Sequence, residues 1–545
     1  MALLLRPAPH LLSARDRGRT AARLAAAALL LLAALPLPLP AQDAAAPRDS
    51  GAPAPPIAGP EALARSLDAA LDDPALTRAH VGMSVRSAET GEVLYARSDH
   101  RRFTTASTAK LVTAAVALER LGAGFRWATR IDACGAVDTA GLLGGDLVIT
   151  GTGDPTIDRR RLAGWAGAVR AADIRRIAGD VVGDDRAFPP PVWGRGWMWD
   201  DLHLGWAAGV DALQLAEPAV EVFLLPDTAV GGPVRVVRGE PAGSSPGAAD
   251  ELPVGVEVRT APAGTDLRLR YLPGEAPGAG GRVVGWLPAD RDSLRLSLAP
   301  RQPAGRLLDE LSRVFADSGL RVEGAFRRRS EGGPETAGRD GESAAGAGGC
   351  GEAERGPAWS TVSRSDSLGA VLAHMLGRSD NQAAESLLRT LGREEGRAGT
   401  PEQGAEVVGE TLAGWGIPPE AVSVADGAGL SRYDQASPAA LTRMLRAVWL
   451  GPHRATFLDA LASPGRSGTL HGRFRGVPAR RSLRAKTGSL ASVRALAGYV
   501  EAADGQTLAF ALMIDGYHVP GAVAEKLRDR VVERLALYRA AGPQP

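Results

Sequence analysis

Strand-like segments stand at both ends of this chain with helix-like segments between them, and that arrangement restricts the fold more than any other feature. Near the start, residues 81–85 and 93–96 alternate or run apolar, and Glu89-Thr90-Gly91 supplies a turn. Near the end, residues 495–500 and 507–514 flank a turn containing Asp504-Gly505, and residues 483–486 read as a further strand. Between them lie helical apolar faces. Leu111, Ala114, Ala115, Leu118 and Leu121 form one, with Gly122 as a natural stop; others span 368–391, 404–415 and 438–449. A terminal helix is expected over 522–540. One domain whose sheet is shared by the two termini fits this order, and the middle third then becomes an insertion.

The middle third has its own character. From Thr129 to Phe326 the chain changes to short strands and Gly/Pro turns, with strands expected at 147–150, 234–237, 254–258, 267–271 and 294–298. Tryptophans cluster at Trp193, Trp197, Trp199 and Trp206. Residues 327–357 are rich in Gly, Glu, Arg and Ala without periodicity and read as a linker. Residues 61–128 and 358–545 are therefore the two parts of one core, around an inserted 129–326.

The N-terminus reads as an export signal over 1–41, with Arg15, Arg17, Arg19 and Arg23 before an apolar run from Leu24 to Leu35. Pro36 and Pro38 end that run quickly, and the competing reading is an uncleaved anchor. No second long apolar stretch appears, so no membrane span is expected after cleavage. Residues 42–60 are an Ala/Pro/Gly-rich leader. In an exported protein Cys134 and Cys350 can pair, and spacing alone does not decide whether they do. A formal net charge of +1 argues against nucleic acid as a partner. The eight histidines show no HExxH and no paired metal spacing, so neither a metal nor another cofactor is expected.

Charge usage points to the chemistry. Of 63 Lys+Arg residues, only Lys110, Lys486 and Lys526 are lysine. Arginine stays protonated, whereas a desolvated lysine can act as a base. Two of the three lysines sit in short motifs, Ser107-Thr108-Ala109-Lys110 and Lys486-Thr487-Gly488, with Ser379-Asp380-Asn381 between them in sequence. Residues i and i+3 share a helix face, which puts Lys110 one turn from Ser107. A serine hydroxyl is a poor nucleophile until a base takes its proton, and Lys110 is the candidate base. Ser379 can relay a proton to a leaving group, and Asn381 can hold a substrate amide. Lys486 supplies a positive charge suited to a terminal carboxylate, Thr487 a hydroxyl, and Gly488 room for another element to approach. Each motif alone has an ordinary explanation, a helix start for SxxK and a helix cap for SDN. All three in order are the set found in β-lactamases and penicillin-binding proteins. Lys526 has no such setting and reads as a surface residue.

At these residues the chain resembles the S13 peptidase family, the low-molecular-mass class C penicillin-binding proteins. Further matches are Gly144-Gly145-Asp146-Leu147 with Gly151-Thr152-Gly153-Asp154-Pro155, Gly196-Trp197-Met198-Trp199-Asp200-Asp201, Asp426-Gly427-Ala428-Gly429-Leu430-Ser431-Arg432, and Gly468-Thr469-Leu470 with Arg473-Phe474. The long gap from Ser107 to Ser379 matches the family's insertion after the nucleophile. Thr105-Ala106-Ser107-Thr108 departs from the usual Pro-Ala-Ser-Asn, and residues 214–217 depart from an Asn-rich segment.

The resemblance implies an α/β fold: a β-lactamase/transpeptidase-like core, an antiparallel sheet plus an all-α lobe, with a large mainly β insertion. It implies a serine DD-peptidase that cleaves the terminal D-Ala-D-Ala bond, and cross-links in addition, of peptidoglycan stem peptides in the periplasm or cell envelope. β-Lactams would be covalent inhibitors at the same serine. The N–H groups of Ser107 and Ser489 would form the oxyanion hole. Asp185, Phe188 and Arg432 would recognise the stem-peptide side chain, against the plainer readings of an ion pair or core packing. Two rival readings are a β-lactamase, which would deacylate fast, and a catalytically silent peptidoglycan-binding protein, which would not need Ser107, Lys110 and Lys486.

Overall fold

The computed structural model describes residues 55–239, 252–274, 280–300, 302–329, 350 and 356–540. The expected signal segment, most of the leader and most of the 327–357 linker lie outside them. The central sheet joins the two ends of the chain. Its strands are β1 (His80–Ser87), β2 (Val93–Arg97), β3 (Arg484–Leu490), β4 (Val493–Glu501) and β5 (Thr507–Asp515), in the order β3-β4-β5-β1-β2. All neighbours are antiparallel, and β1 meets β5 in a continuous register from His80–Asp515 to Ser87–Leu508.

Alternation along these strands sends different residues to the two faces. Leu496, Val500, Phe510, Leu512 and Ile514 face one side, where they pack with Leu63, Leu67, Val531 and Val532. Those partners come from helices α1 (Pro60–Leu71) and α7 (Gly521–Ala536). Each such Leu, Phe or Val contributes roughly 1.5–3 kcal/mol by leaving water. The other face carries Ala495, Ala497, Ala509 and Ala511 and meets the helical lobe. Small side chains there let helices lie close to the strands.

The lobe contains α2 (Ala109–Leu121), α3 (Leu368–Arg378), α4 (Asn381–Glu394), α5 (Pro401–Gly414) and α6 (Pro438–Leu450). Every residue of α2 from Ala109 to Leu118 is buried, so this helix is the lobe's axis. The helical pattern read over 368–391 is two helices. Ser379 adopts φ 63° and ends α3; the Asp380 side chain then accepts from Ala383 N at 3.0 Å and starts α4. The break turns the Ser-Asp-Asn motif out of a continuous helix.

The middle third builds a five-stranded sheet from Ala128–Cys134, Asp146–Thr150, Val181–Asp184, Phe326–Arg328 and Trp359–Arg364. Trp359–Arg364 lies beyond the expected linker and pairs with Ala128–Cys134. Two helices, Arg159–Ala171 and Pro303–Asp317, cover this sheet and add to the strands expected in the insertion. Leu162, Trp165, Ala166 and Val169 give the first its buried face. Two three-stranded sheets farther along the chain, over residues 220–298, share the core formed by Val222, Leu224, Val258, Val283, Leu287 and Leu298. Cys134 and Cys350 are disulfide-bonded, which decides the question that spacing left open. Among the described residues, no helix is long and apolar enough to cross a membrane.

Candidate active site

Ser107 sits on a 3-10 turn, Ala106–Thr108, that runs directly into α2. Its neighbour Ala106 holds φ 45°, a conformation that costs a side-chain-bearing residue on the order of 1–2 kcal/mol. Surrounding bonds hold the turn: Thr104 N donates to Asp515 Oδ2 (3.0 Å), and Thr105 N and Oγ1 donate to the Asp434 carbonyl (3.0 and 3.2 Å). Two glycines let the neighbouring segments close on it. A Cβ on Gly488 would lie 2.8 Å from the Thr105 carbonyl oxygen, and one on Gly429 would lie 1.9 Å from that of Ala106. The glycine of Lys486-Thr487-Gly488 is thus needed where β3 passes the turn.

Lys110 is completely buried, and its Nζ has three neighbours: Ser107 Oγ at 3.1 Å, Asn381 Oδ1 at 2.6 Å and the Ala428 carbonyl at 2.6 Å. The Asn381 amide is oriented by its own Nδ2, which donates to the Trp206 carbonyl at 2.7 Å. Asn381 Oδ1 and the Ala428 carbonyl only accept, so they take two of the amine's hydrogens. In a neutral amine the lone pair is left for the Ser107 hydroxyl. Burial lowers the Lys110 pKa to about 8, against the opposing pull of Asp426, Asp380 and Asp434.

Lys486, also buried, donates to Ser379 Oγ and to the Thr487 carbonyl, both at 2.9 Å. Burial pushes its pKa well down, helped by the charges of Lys110 and Arg528. Burial thus works against the positive charge that the sequence expects at this lysine. Thr487 Oγ1 pairs with Thr469 Oγ1 at 2.9 Å, and Ser489 is exposed on the same strand. Ser107, Lys110 and Asn381 thus form one bonded group and Ser379 and Lys486 a second, close enough that the Lys110 charge acts on Lys486.

The loop that supplies the Ala428 carbonyl is built around Asp426, whose carboxylate accepts from Ala428 N (2.6 Å), Gly429 N, Ser431 N (2.7 Å) and Trp197 Nε1 (2.9 Å). Asp434, beside it, is held well above the usual carboxylate range by burial and by the Asp426 charge. Gly427 N donates to Glu385 Oε2 at 2.9 Å, and Glu385 pairs at 3.0 Å with Arg389, both fully buried. Arg389 in turn donates to the carbonyls of Pro191 and Trp193. Among the described residues, no cluster of His, Cys, Asp and Glu has the makings of a metal site.

The profile of the D-Ala-D-Ala carboxypeptidase 3 (S13) family matches residues 63–538. The chain belongs to that family. A D-alanyl-D-alanine carboxypeptidase of Actinomadura sp. (strain R39) is 31% identical over 493 residues, covering 87% of this chain and 85% of the relative. The D-alanyl-D-alanine carboxypeptidase DacB of Haemophilus influenzae is 24% identical over 450 residues, covering 80% and 86%. The crystal structure of penicillin binding protein 4 (dacB) from H. influenzae superposes with a TM-score of 0.70 at 22% identity, covering 86% of this chain and 97% of that one. Fold and family agree: this is a serine peptidase of the S13 family on a transpeptidase-like core.

The three S13 side chains expected at the stem peptide fall in different places. Asp185 is 2% exposed and bonds to Arg328 at 2.6 Å; Phe188 is 3% exposed and packs with Val210 and Ala212. Both are buried, one in an ion pair and the other in apolar packing. Arg432 is exposed and donates to the Ala491 carbonyl at 2.9 Å. Asp201 lies close enough to Arg432 to feel its charge, and Trp199, Trp206 and Tyr433 are exposed nearby in sequence. Sequence reasoning missed Asp426, Glu385 and the carbonyls of Trp206 and Ala428. The Asp426 motif and the tryptophan cluster were visible, but a carbonyl has no sequence signature.

Proposed function

We propose that this chain is a serine DD-peptidase that hydrolyses the terminal D-Ala-D-Ala bond of peptidoglycan stem peptides through an acyl-enzyme on Ser107. The observation that carries the reading is the Lys110 amine, buried beside Ser107 with two hydrogens already committed to fixed acceptors. Its neutral form takes the Ser107 proton as Oγ attacks the carbonyl between the two D-alanines. Oxygen charge develops toward the N–H groups of Ser107 and Ser489. The Ser379 hydroxyl, bonded to Lys486, passes a proton to the leaving amine and is reprotonated with the proton that Lys110 took, which returns Lys110 to its neutral form. The substrate carboxylate binds at Lys486 and Thr487 and restores the ammonium form of Lys486 that burial disfavours. Asn381 orients Lys110 and the substrate amide. Water then cleaves the ester, and Lys110 again acts as base. Cross-links ending in the same D-Ala carbonyl fit the same steps.

Penicillins present an acyl group and a carboxylate in this geometry and are expected to acylate Ser107. The signal-like N-terminus and the disulfide support a location outside the cytoplasm, in the periplasm or envelope. Labelled penicillin tests the whole reading. A long-lived adduct on Ser107, absent in Ser107→Ala and nearly absent in Lys110→Arg, is the expected result. Rapid turnover would mark a β-lactamase, and no adduct on folded protein would leave only a binding role.

A further inference from the structure

The outward face of the sheet formed by Gly255–Ala261, Arg282–Pro288 and Arg268–Leu272 carries an ordered set of side chains that neither the core nor the cleft uses. Its central strand places Trp286 directly between Arg259 on one neighbour and Arg268 on the other. The next outward row is Glu257, Val284 and Arg270. The opposite face, with Val258, Val283 and Leu287, is fully occupied by the subdomain's core. Trp286 remains 46% exposed. These side chains line a shallow depression of about 420 Å³.

The charges are one-sided. Glu257 is already paired with Arg282 at 3.0 Å, and the Arg259 guanidinium rests on the Gly231 carbonyl at 2.9 Å. Among the described residues, Arg268 and Arg270 form no ion pair. An indole flanked in register by Arg259 and Arg268, whose strands run about 4.8 Å to either side, combines a flat apolar platform with two planar anion-binding groups. A pyranose ring offers a flat C–H face of matching width, and a carboxylate on the neighbouring sugar unit meets the fork in two parallel bonds.

We infer that this face binds an anionic saccharide strand, with a sugar ring stacked on Trp286 and carboxylates held by Arg259, Arg268 and Arg270. The identity of the strand as the glycan of peptidoglycan rests on the peptidase reading above. The surface would then hold peptide-free stretches of the polymer, whose lactyl carboxylates are not tied up in amides, while the cleft works on stem peptides elsewhere along it.

The probe is linear peptidoglycan glycan strands with the stem peptides removed by an amidase. Each second sugar then keeps a free lactyl carboxylate, and the peptide cleft has nothing to bind. The full chain should bind these strands. Trp286→Ala and the pair Arg259→Ser/Arg268→Ser should each weaken binding by about tenfold or more, while Trp286→Phe keeps most of it. Penicillin labelling of Ser107 should stay within about twofold of wild type in all of them, since a change of that size is under 0.5 kcal/mol. The inference is overturned if the wild-type chain ignores the strands, if Trp286→Ala binds as well as wild type, or if a sulfated polysaccharide binds equally and loses affinity in parallel. Failure of penicillin labelling with intact strand binding would sink the peptidase reading and leave the surface standing.

Discussion

The nitrogen of Lys110 has no spare hydrogen when neutral, and its reactivity follows from that count. Above a pH of about 8 the amine is in its base form, and below it the ammonium blocks attack. The second-order rate of penicillin acylation should therefore rise as pH passes from 6 through 8. A flat profile over this range would remove Lys110 as the base. Asp426 acts one bond further away, through the Ala428 backbone. Asp426→Asn should lower the acylation rate constant by about 10–100-fold, as loss of one or two well-placed charge-assisted bonds does. Initial penicillin binding should change little, and the pH midpoint should shift. An unchanged midpoint with tenfold weaker initial binding would contradict a positioning role.

At the scale of elements, the close pass of β3 over the Ser107 turn is a tight joint in the site. Gly488→Ala would press a methyl on the Thr105 carbonyl and on Ala106. A loss of about 1–3 kcal/mol in stability is expected from such overpacking, together with slow acylation, and urea melts beside labelling rates would read both. The same scale shows what was legible beforehand. Both terminal hairpins, the helix after Ser107 and the three motifs could be read because alternation, turn residues and rare lysines are local signals. The helices Arg159–Ala171 and Pro303–Asp317 also had local signals, Leu162, Trp165, Ala166 and Val169 in one and Leu307, Leu308, Leu311, Val314 and Phe315 in the other. They were passed over among the surrounding Gly/Pro turns. The break at Ser379 was hidden because apolar spacing runs on through it, while a left-handed serine is visible only in the backbone. The segment from Trp197 to Trp206 was legible only as a cluster. In the fold it bonds Asp426 through Trp197, stacks His203 on Tyr271 at 4.0 Å, and offers its last carbonyl to Asn381. Contacts of that reach depend on the tertiary fold, which no window of sequence contains.

For the whole molecule, the Cys134–Cys350 bond closes a loop with a sequence separation of 216 that encloses most of the insertion. Reducing it, or Cys134→Ser with Cys350→Ser, should cost about 2–5 kcal/mol of stability, seen as a lower midpoint in a thermal melt under non-aggregating conditions. An unchanged midpoint would mean that the five-stranded sheet alone holds the insertion shut. The central sheet has a different consequence, for the order in which the protein can be made. Ser107 and Lys110 emerge early from the ribosome, but β1 has no partner on its β5 side, and the cleft no Lys486, until the final hairpin is complete. A growing or truncated chain thus carries its nucleophile in a form that cannot cut. Activity arrives only once β3 to β5 are made and docked on β1, so that the peptidase is silent until then.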